Sequence, residues 1–404
     1  MRNSTLLIGA YAGIAGFFLY MTLHNDGGEQ DYLSDIVLTK ANDAPLSEMP
    51  MATHLVVDEI DVLDVSLSDD EWIDEAEVML ASNDPSEIAR GLGILNRLAK
   101  DNQPRANELL AIMYDQGIRL PKDAKKAFDH YERAALHGSE NANIYLFNHY
   151  LDHPTPSDQH YQKARDWFIK ATEFQRNPIA DYGLAYMYEV GLGVPVDLNQ
   201  ALKYYQNAAD ENFPLAYERL GNLYLQENDR TRISEALLLF QRAANEDMPS
   251  AQYKLGYMYE EGLGTKQDYE TAQFWYQKAA NNQFPLAEVA LGRLYEHGFG
   301  VEKDNRRAYD YYRSAAEAGN IEAQNCVARA FERGIGVDKD LERAIYWYGE
   351  AAQKDDSNAQ YNLGRIFEEY PEVRNLDEAK AWYQKAAKAN VTEAQTALER
   401  LSKK

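Results

Sequence analysis

The sequence predicts an all-α protein, a solenoid of about eight helix-turn-helix repeats behind one N-terminal transmembrane helix. Three observations predict it. A pattern of alanine, leucine and an aromatic recurs at intervals of 35–38 residues. The apolar residues inside each copy follow helical rather than alternating spacing. One uncharged run near the start matches the thickness of a bilayer.

Residues 1–4 read as a short cytoplasmic N-terminus and Thr5–Leu23 as a signal anchor of nineteen uncharged residues. At ~1.5 Å rise per residue that run spans roughly the 30 Å of bilayer hydrocarbon. A cleaved signal peptide has a shorter apolar core and a small-residue cleavage site, and no good site stands near Leu23. Periplasmic release after cleavage is the alternative. Arg2 and the amino terminus are the only nearby positive charges, so the N-terminus is expected to stay cytoplasmic. In a bacterium the chain would then be a single-pass inner-membrane protein with periplasmic repeats. Gly9 and Gly13, with Ala12 and Gly16, have the small-residue spacing that lets two such helices pair into a homodimer.

Residues 24–68 are acidic and poor in aromatics, the composition of a mostly disordered tether. Positions 24–84 carry 17 Asp and Glu against one Lys, so they supply −16 of the net −24. Leu55–Val65 within the tether reads as a strand, a partner-binding segment or a loose cover on the first repeats. Residues 69–105 read as an irregular helical cap, with helices over 70–82 and 86–100.

The repeats occupy residues 106–393. Each opens on an alanine, at 106, 142, 180, 216, 251, 287, 323 and 359, with a closing Ala394. Four residues on stands Leu110, Leu146, Leu184, Leu220, Leu255, Leu291, Val327 or Leu363, and eight on an aromatic, as at Tyr259, Tyr295 and Phe331. The position between, five after the alanine, is usually small, as at Gly256 and Gly292. These offsets share one helical face, and the small residue lets a neighbour approach. A second helix carries a triplet such as Ala272-Tyr276-Ala279. Asp123, Asp197, Asp268, Asp304 and Asp340 stand before it, where a carboxylate caps free N–H groups. Pro104, Pro178, Pro214, Pro249 and Pro285 suit the first turn of the next helix. Residues 394–404 form a C-terminal capping helix.

Glycine pairs such as Gly262-Leu263-Gly264 fall between the two helices of a copy. A phosphate loop requires a preceding strand and would be built once. This pair recurs, both glycines are missing from three copies, and it follows a helical pattern, so it reads as a helix terminator.

The pattern A-x-x-x-L-G-x-x-Y-x-x-G-x-G-V, followed by D-x-x-x-A-x-x-W-Y-x-x-A-A, resembles the Sel-one-like repeat family, relatives of tetratricopeptide repeats. The resemblance runs from Ala106 to about Leu401. It implies a right-handed α/α superhelix that holds other proteins together, often at bacterial envelopes and generally without enzymatic activity. Its helix A side is expected to line the binding surface.

The strong negative charge excludes nucleic acid as the partner. The lone Cys326 excludes an internal disulfide, and no cofactor is implied. Six residues after the opening alanine, the last three full copies carry Arg293, Arg329 and Arg365. At a helix-packing distance of roughly 10 Å per repeat, these make a ladder for carboxylates of an acidic peptide. The alternative is ion pairing with Glu296, Glu332 and Glu368, three residues further along each helix. Tyr182, Tyr253 and Tyr361 mark a second candidate stripe on the same helices. An enzyme reading, a cell-wall or polysaccharide-acting enzyme or its regulator, would use the His-rich second copy. There His149 and His153 stand four apart as metal candidates, although no H-E-x-x-H is present. Trp167, Tyr204, Trp275, Tyr311, Trp347 and Trp382 read as packing between copies.

Overall fold

The computed structural model of the chain describes residues 67–151, 157–227 and 229–402. Among the described residues it holds nineteen α-helices, one 3-10 turn at Pro371–Val373 and no strand. None of these helices is long and apolar enough to cross a membrane. The expected anchor, nearly all of the tether and His153 lie outside the described residues.

Helices α1 (Asp69–Ala81) and α2 (Pro85–Lys100) come first. The repeats follow, each as a first helix A and a second helix B. The A helices are α3 (Pro104–Gln116), α5 (Glu140–Leu151), α7 (Pro178–Val190), α9 (Pro214–Gln226), α11 (Pro249–Glu261), α13 (Pro285–His297), α15 (Ile321–Arg333) and α17 (Ser357–Glu369). The B helices are α4 (Ala124–Leu136), α6 (Asp158–Phe174), α8 (Leu198–Asp210), α10 (Arg230–Asn245), α12 (Tyr269–Asn281), α14 (Asn305–Glu317), α16 (Leu341–Gln353) and α18 (Leu376–Lys388). A last helix, α19 (Thr392–Ser402), follows them.

The chain divides into two compact units after Arg219, inside α9. In the first, α3 packs on α4, α4 on α5, α6 on α7 and α7 on α8. In the second the same alternation runs without a break from α10 to α19.

The repeating residues are the core. Every opening alanine is fully buried, and the leucine or valine four residues on is at most 1% exposed. The central aromatic of each B triplet, from Tyr131 to Tyr383, is buried as well. The small residue of helix A makes room for that ring: a β-carbon on Gly292 would lie 2.5 Å from Tyr312 Cε1. Gly221, Gly256 and Gly364 meet Phe240, Tyr276 and Tyr383 in the same way. Helix A and helix B of one repeat are thereby keyed together by a glycine and an aromatic ring.

The two loop glycines have different tasks. Gly262, at φ +68°, ends α11 in the left-handed region and donates its N–H to the Met258 carbonyl. Gly264 is close to the preceding repeat, where a β-carbon would sit 2.9 Å from the Ile233 carbonyl oxygen of α10. Helix B then starts at Asp268, whose Oδ1 accepts the N–H groups of Glu270 and Thr271 at 3.1 and 3.0 Å. Its own N–H donates to the Tyr259 carbonyl at 2.9 Å. Asp123, Asp197, Asp304 and Asp340 make the corresponding caps.

Two regular features of the turn from helix B to the next helix A had no counterpart in the sequence reading. Four residues before the opening alanine the backbone is left-handed, at Asn102, Gly138, Asn212, Asp247, Gln283, Gly319, Asp355 and Asn390. Arg176, in the longest interval, is the exception. One residue after the alanine, a buried amide reaches back across the turn. Asn107 and Asn143 Nδ2 donate to the carbonyls of Ala99 and Ala135 at 3.2 Å. Gln252, Gln324 and Gln360 Nε2 do the same to Ala244, Ala316 and Ala352 at 3.3–3.4 Å.

Candidate functional site

The arginine row lies on the A helices of the second unit, and each arginine is engaged by the repeat before it. Arg293 Nη2 donates to both Glu260 oxygens at 2.9 and 2.8 Å. Arg329 Nη2 donates to both Glu296 oxygens at 3.1 and 3.0 Å, and Arg365 Nη2 to Glu332 Oε1 at 2.6 Å. Arg400 continues the row with Glu368 at 2.6 Å. The ion pairs therefore run between repeats, at a separation of 33 residues for the first three, and not to the glutamate three residues on in the same helix. That glutamate is already held by the following arginine.

Each of these carboxylates also accepts the hydroxyl of its own repeat's B aromatic. Tyr276 donates to Glu260 at 2.6 Å, Tyr312 to Glu296 at 2.9 Å, Tyr348 to Glu332 at 3.2 Å and Tyr383 to Glu368 at 2.9 Å. Burial, with the adjacent carboxylate, pushes the Tyr276 hydroxyl well above the usual phenol range, so it remains a donor. The result is a chain of tyrosine, glutamate and arginine from repeat to repeat. Among the described residues of the first unit, Glu189 makes such a link, taking Tyr205 Oη at 2.6 Å and Arg219 Nη1 at 3.5 Å.

The arginines nonetheless keep a solvent-facing edge. The Arg293 and Arg329 side chains are 42% and 38% exposed, against 7% and 17% for their glutamates. Neither Nη1 donates a hydrogen bond among the described residues, which leaves one charged N–H edge on each for an external acceptor. Arg365 is more deeply set, at 19%, and its Nη1 approaches Glu369 at 3.4 Å.

The tyrosine stripe is uneven. Tyr182 is 2% exposed, with its ring centroid 5.3 Å from Tyr205 and 5.5 Å from Phe213, so it belongs to the interior and not to an open face. Tyr253 and Tyr361 are half-buried, their rings tilted against Tyr276 and Tyr383 at centroid distances of 5.6 and 5.8 Å. Of the tryptophan stripe, Trp167 and Trp275 are buried and Trp347 and Trp382 half-buried, while Tyr311 Oη donates to Gln277 of the preceding B helix at 2.7 Å.

His149 is exposed at the end of α5, among Phe128, Tyr145, Tyr150 and His160. His160 Nε2 is 3.1 Å from the Tyr150 carbonyl oxygen. No group of three His, Cys, Asp or Glu residues able to hold a metal occurs among the described residues. Cys326 is half-buried beside Arg329, and burial pushes its thiol up to about 11, which keeps it protonated at neutral pH.

The Sel1 repeat family model matches residues 104–139, 148–173, 178–213, 214–248, 249–284, 285–320, 321–356 and 357–391. Among curated proteins the chain is similar to the alginate biosynthesis protein AlgK of Azotobacter vinelandii, 31% identical over 132 residues that cover 32% of this chain and 28% of that protein. It is 32% identical over 112 residues to activator of C kinase protein 1 of Saccharomyces cerevisiae, covering 26% of this chain and 18% of that one. The chain spans only 13–31% of the length of the curated relatives it matches. Among solved structures, the protective antigen c5321 of uropathogenic Escherichia coli, which displays an SLR fold, aligns with TM-score 0.66 at 25% identity, covering 82% of this chain and 71% of that one. A Sel1 repeat protein from Oxalobacter formigenes aligns with TM-score 0.51 at 28% identity, covering 83% and 87%.

Proposed function

Because the chain belongs to the Sel1 repeat family, whose fold generally serves as a protein-interaction scaffold, we propose that it holds protein partners from a membrane tether. One partner lays an acidic segment across Arg293, Arg329 and Arg365. The observation that carries this reading is the 42% and 38% exposure of the Arg293 and Arg329 side chains at successive A helices, with no hydrogen bond from either Nη1 among the described residues. The glutamates behind them fix the guanidinium planes, so little side-chain freedom is lost when a carboxylate docks. An extended segment advances ~3.3 Å per residue, so carboxylates about three residues apart would match repeats roughly 10 Å apart.

The tether half of the reading rests on the uncharged run Thr5–Leu23 and the acidic residues behind it. It makes the protein an organiser of an envelope complex, with the repeats on the far side of the membrane from the N-terminus. No covalent chemistry is required of any residue.

A simple triple alanine variant would strand two buried carboxylates, Glu260 and Glu332, and the half-buried Glu296. The test therefore neutralises both sides of each pair, by Arg293→Gln with Glu260→Gln, Arg329→Gln with Glu296→Gln, and Arg365→Gln with Glu332→Gln. We expect a cooperatively folded protein that no longer captures the acidic partner in cells. Capture at the wild-type level by this variant would remove the arginine row from the binding site.

A further inference from the structure

Asp181 breaks the pattern of the buried amides. It occupies the position from which Asn107, Asn143, Gln252, Gln324 and Gln360 donate back across the turn, yet a carboxylate has no proton to donate. It is 6% exposed, and its one side-chain hydrogen bond among the described residues comes from Asn207 Nδ2, at 3.3 Å on Oδ1. Burial is the main cause that pushes its carboxyl up to about 6.

The equivalent acid in α13, Glu288, is satisfied differently. Its longer side chain takes the Ser314 hydroxyl at 2.6 Å, and Tyr311 closes the space beside it through Gln277. Around Asp181 the first contact is longer, with Asn207 donating at 3.3 Å from the place of Ser314, and the second is missing, because Ile169 stands where α12 has Gln277. The turn before it also differs. Arg176 lacks the left-handed backbone found at that place in every other repeat, and α6 instead ends on an extended Gln175 at φ −157°. These changes leave a cleft of about 380 Å³ between α6 and α8, with Asp181 and Thr172 among its lining.

The basic groups of that cleft each have a partner on its wall, and Lys203 also lies near enough to Asp181 to act on its charge. Arg176 is paired with Glu211 at 2.6 Å, and the Lys203 ammonium lies over the Tyr204 ring, 5.6 Å from its centroid. Asp210 accepts from Gln206 at 2.8 Å, and no arginine or lysine ion-pairs with Asp181 among the described residues.

We propose that this cleft binds one basic side chain of a protein partner, the ammonium of a lysine or the guanidinium of an arginine, with Asp181 as its counter-ion. Asn207 orients the carboxylate, and the Tyr204 ring supplies an aromatic wall suited to a cation. The site is separate from the arginine row and has the opposite charge preference.

Ligand-observed saturation-transfer NMR on the full chain tests it, with the N-methylamides of N-acetyl-lysine and N-acetyl-arginine as probes and the norleucine analogue as the uncharged control. We expect saturable transfer to at least one basic probe and none to norleucine. Asp181→Asn should weaken that binding about tenfold or more, as expected for loss of a charged acceptor. That variant places an amide where α3 and α5 already carry one, and its cooperative melting would show that it is folded. Lys203→Gln removes the competing cation and should tighten binding. Absence of saturable binding by both probes, undiminished binding by folded Asp181→Asn, or loss of binding in Lys203→Gln would each overturn the assignment.

Discussion

Asp181 and Glu332 show what a buried carboxylate does with and without a cation. Glu332 has a side chain only 2% exposed and receives Arg365, Tyr348 and Tyr370. Removing Arg365 alone, by Arg365→Ala, should destabilise the fold by ~3–5 kcal/mol, the range for a broken buried pair. Adding Glu332→Gln should restore most of that, which thermal or denaturant unfolding of the two variants would measure. Asp181 has no such ion pair among the described residues. Its folded carboxyl, at about 6, holds a proton more tightly than the ordinary 3.8 of the unfolded chain. Ionisation therefore destabilises the fold, fully so above pH 6 and not at all below about pH 4. Asp181→Asn should gain up to roughly 3 kcal/mol at pH 7, and the gain should vanish by about pH 4. An advantage independent of pH would place the effect in packing instead. The arginine partners were the part of this scale least legible in the sequence. Arg293 and Glu296 have good helical spacing, but Glu296 faces Tyr312 and the next repeat, so geometry across the stack decides the pairing.

At the scale of the element, the repeat is written at fixed offsets, and that made helices, caps and glycine terminators readable before any coordinates. Alanine, leucine and aromatic positions each do one task in every copy, so a misread residue in one repeat is corrected by the others. The left-handed residue four before the opening alanine is also a recurring position. It escaped reading because Asn, Asp, Gly and Gln share it, and what unites them is tolerance of backbone shape rather than a common side chain. The keying of helix A to helix B gives a direct test. Tyr295 is 7% exposed and stacks on Tyr311, so Tyr295→Ala should lower stability by ~3–5 kcal/mol. Gly292→Ala, which drives a methyl into the Tyr312 ring, should lower it by ~1–3 kcal/mol. Substitution of the exposed loop residue Glu302 should leave the melting curve nearly unchanged. Equal shifts for Tyr295→Ala and the Glu302 substitution would contradict the assignment of faces.

At the scale of the molecule, the two units offer chemically different surfaces, a row of arginine edges in the second and an acid-floored cleft in the first. The sequence made the scaffold class readable because the family pattern covers most of the chain. It left the cleft unread, since only the combination of Asp181, Asn207, Ile169 and an irregular turn creates it. Full-length protein should stay with membranes through alkaline washing if Thr5–Leu23 is an anchor, and a trimmed soluble form would show cleavage. The central claim, that the A-helix face of the second unit receives an acidic segment, is most directly tested by site-specific photo-cross-linking in cells. A photo-reactive residue placed at Tyr257, which continues the arginine row and is 37% exposed, is compared with one at Phe274, 53% exposed on a B helix. Adducts from position 257 that map to a partner segment with carboxylates about three residues apart, and that vanish when the arginine–glutamate pairs are neutralised, are the predicted result. Adducts only from position 274, or adducts from 257 that persist after neutralisation, would contradict it.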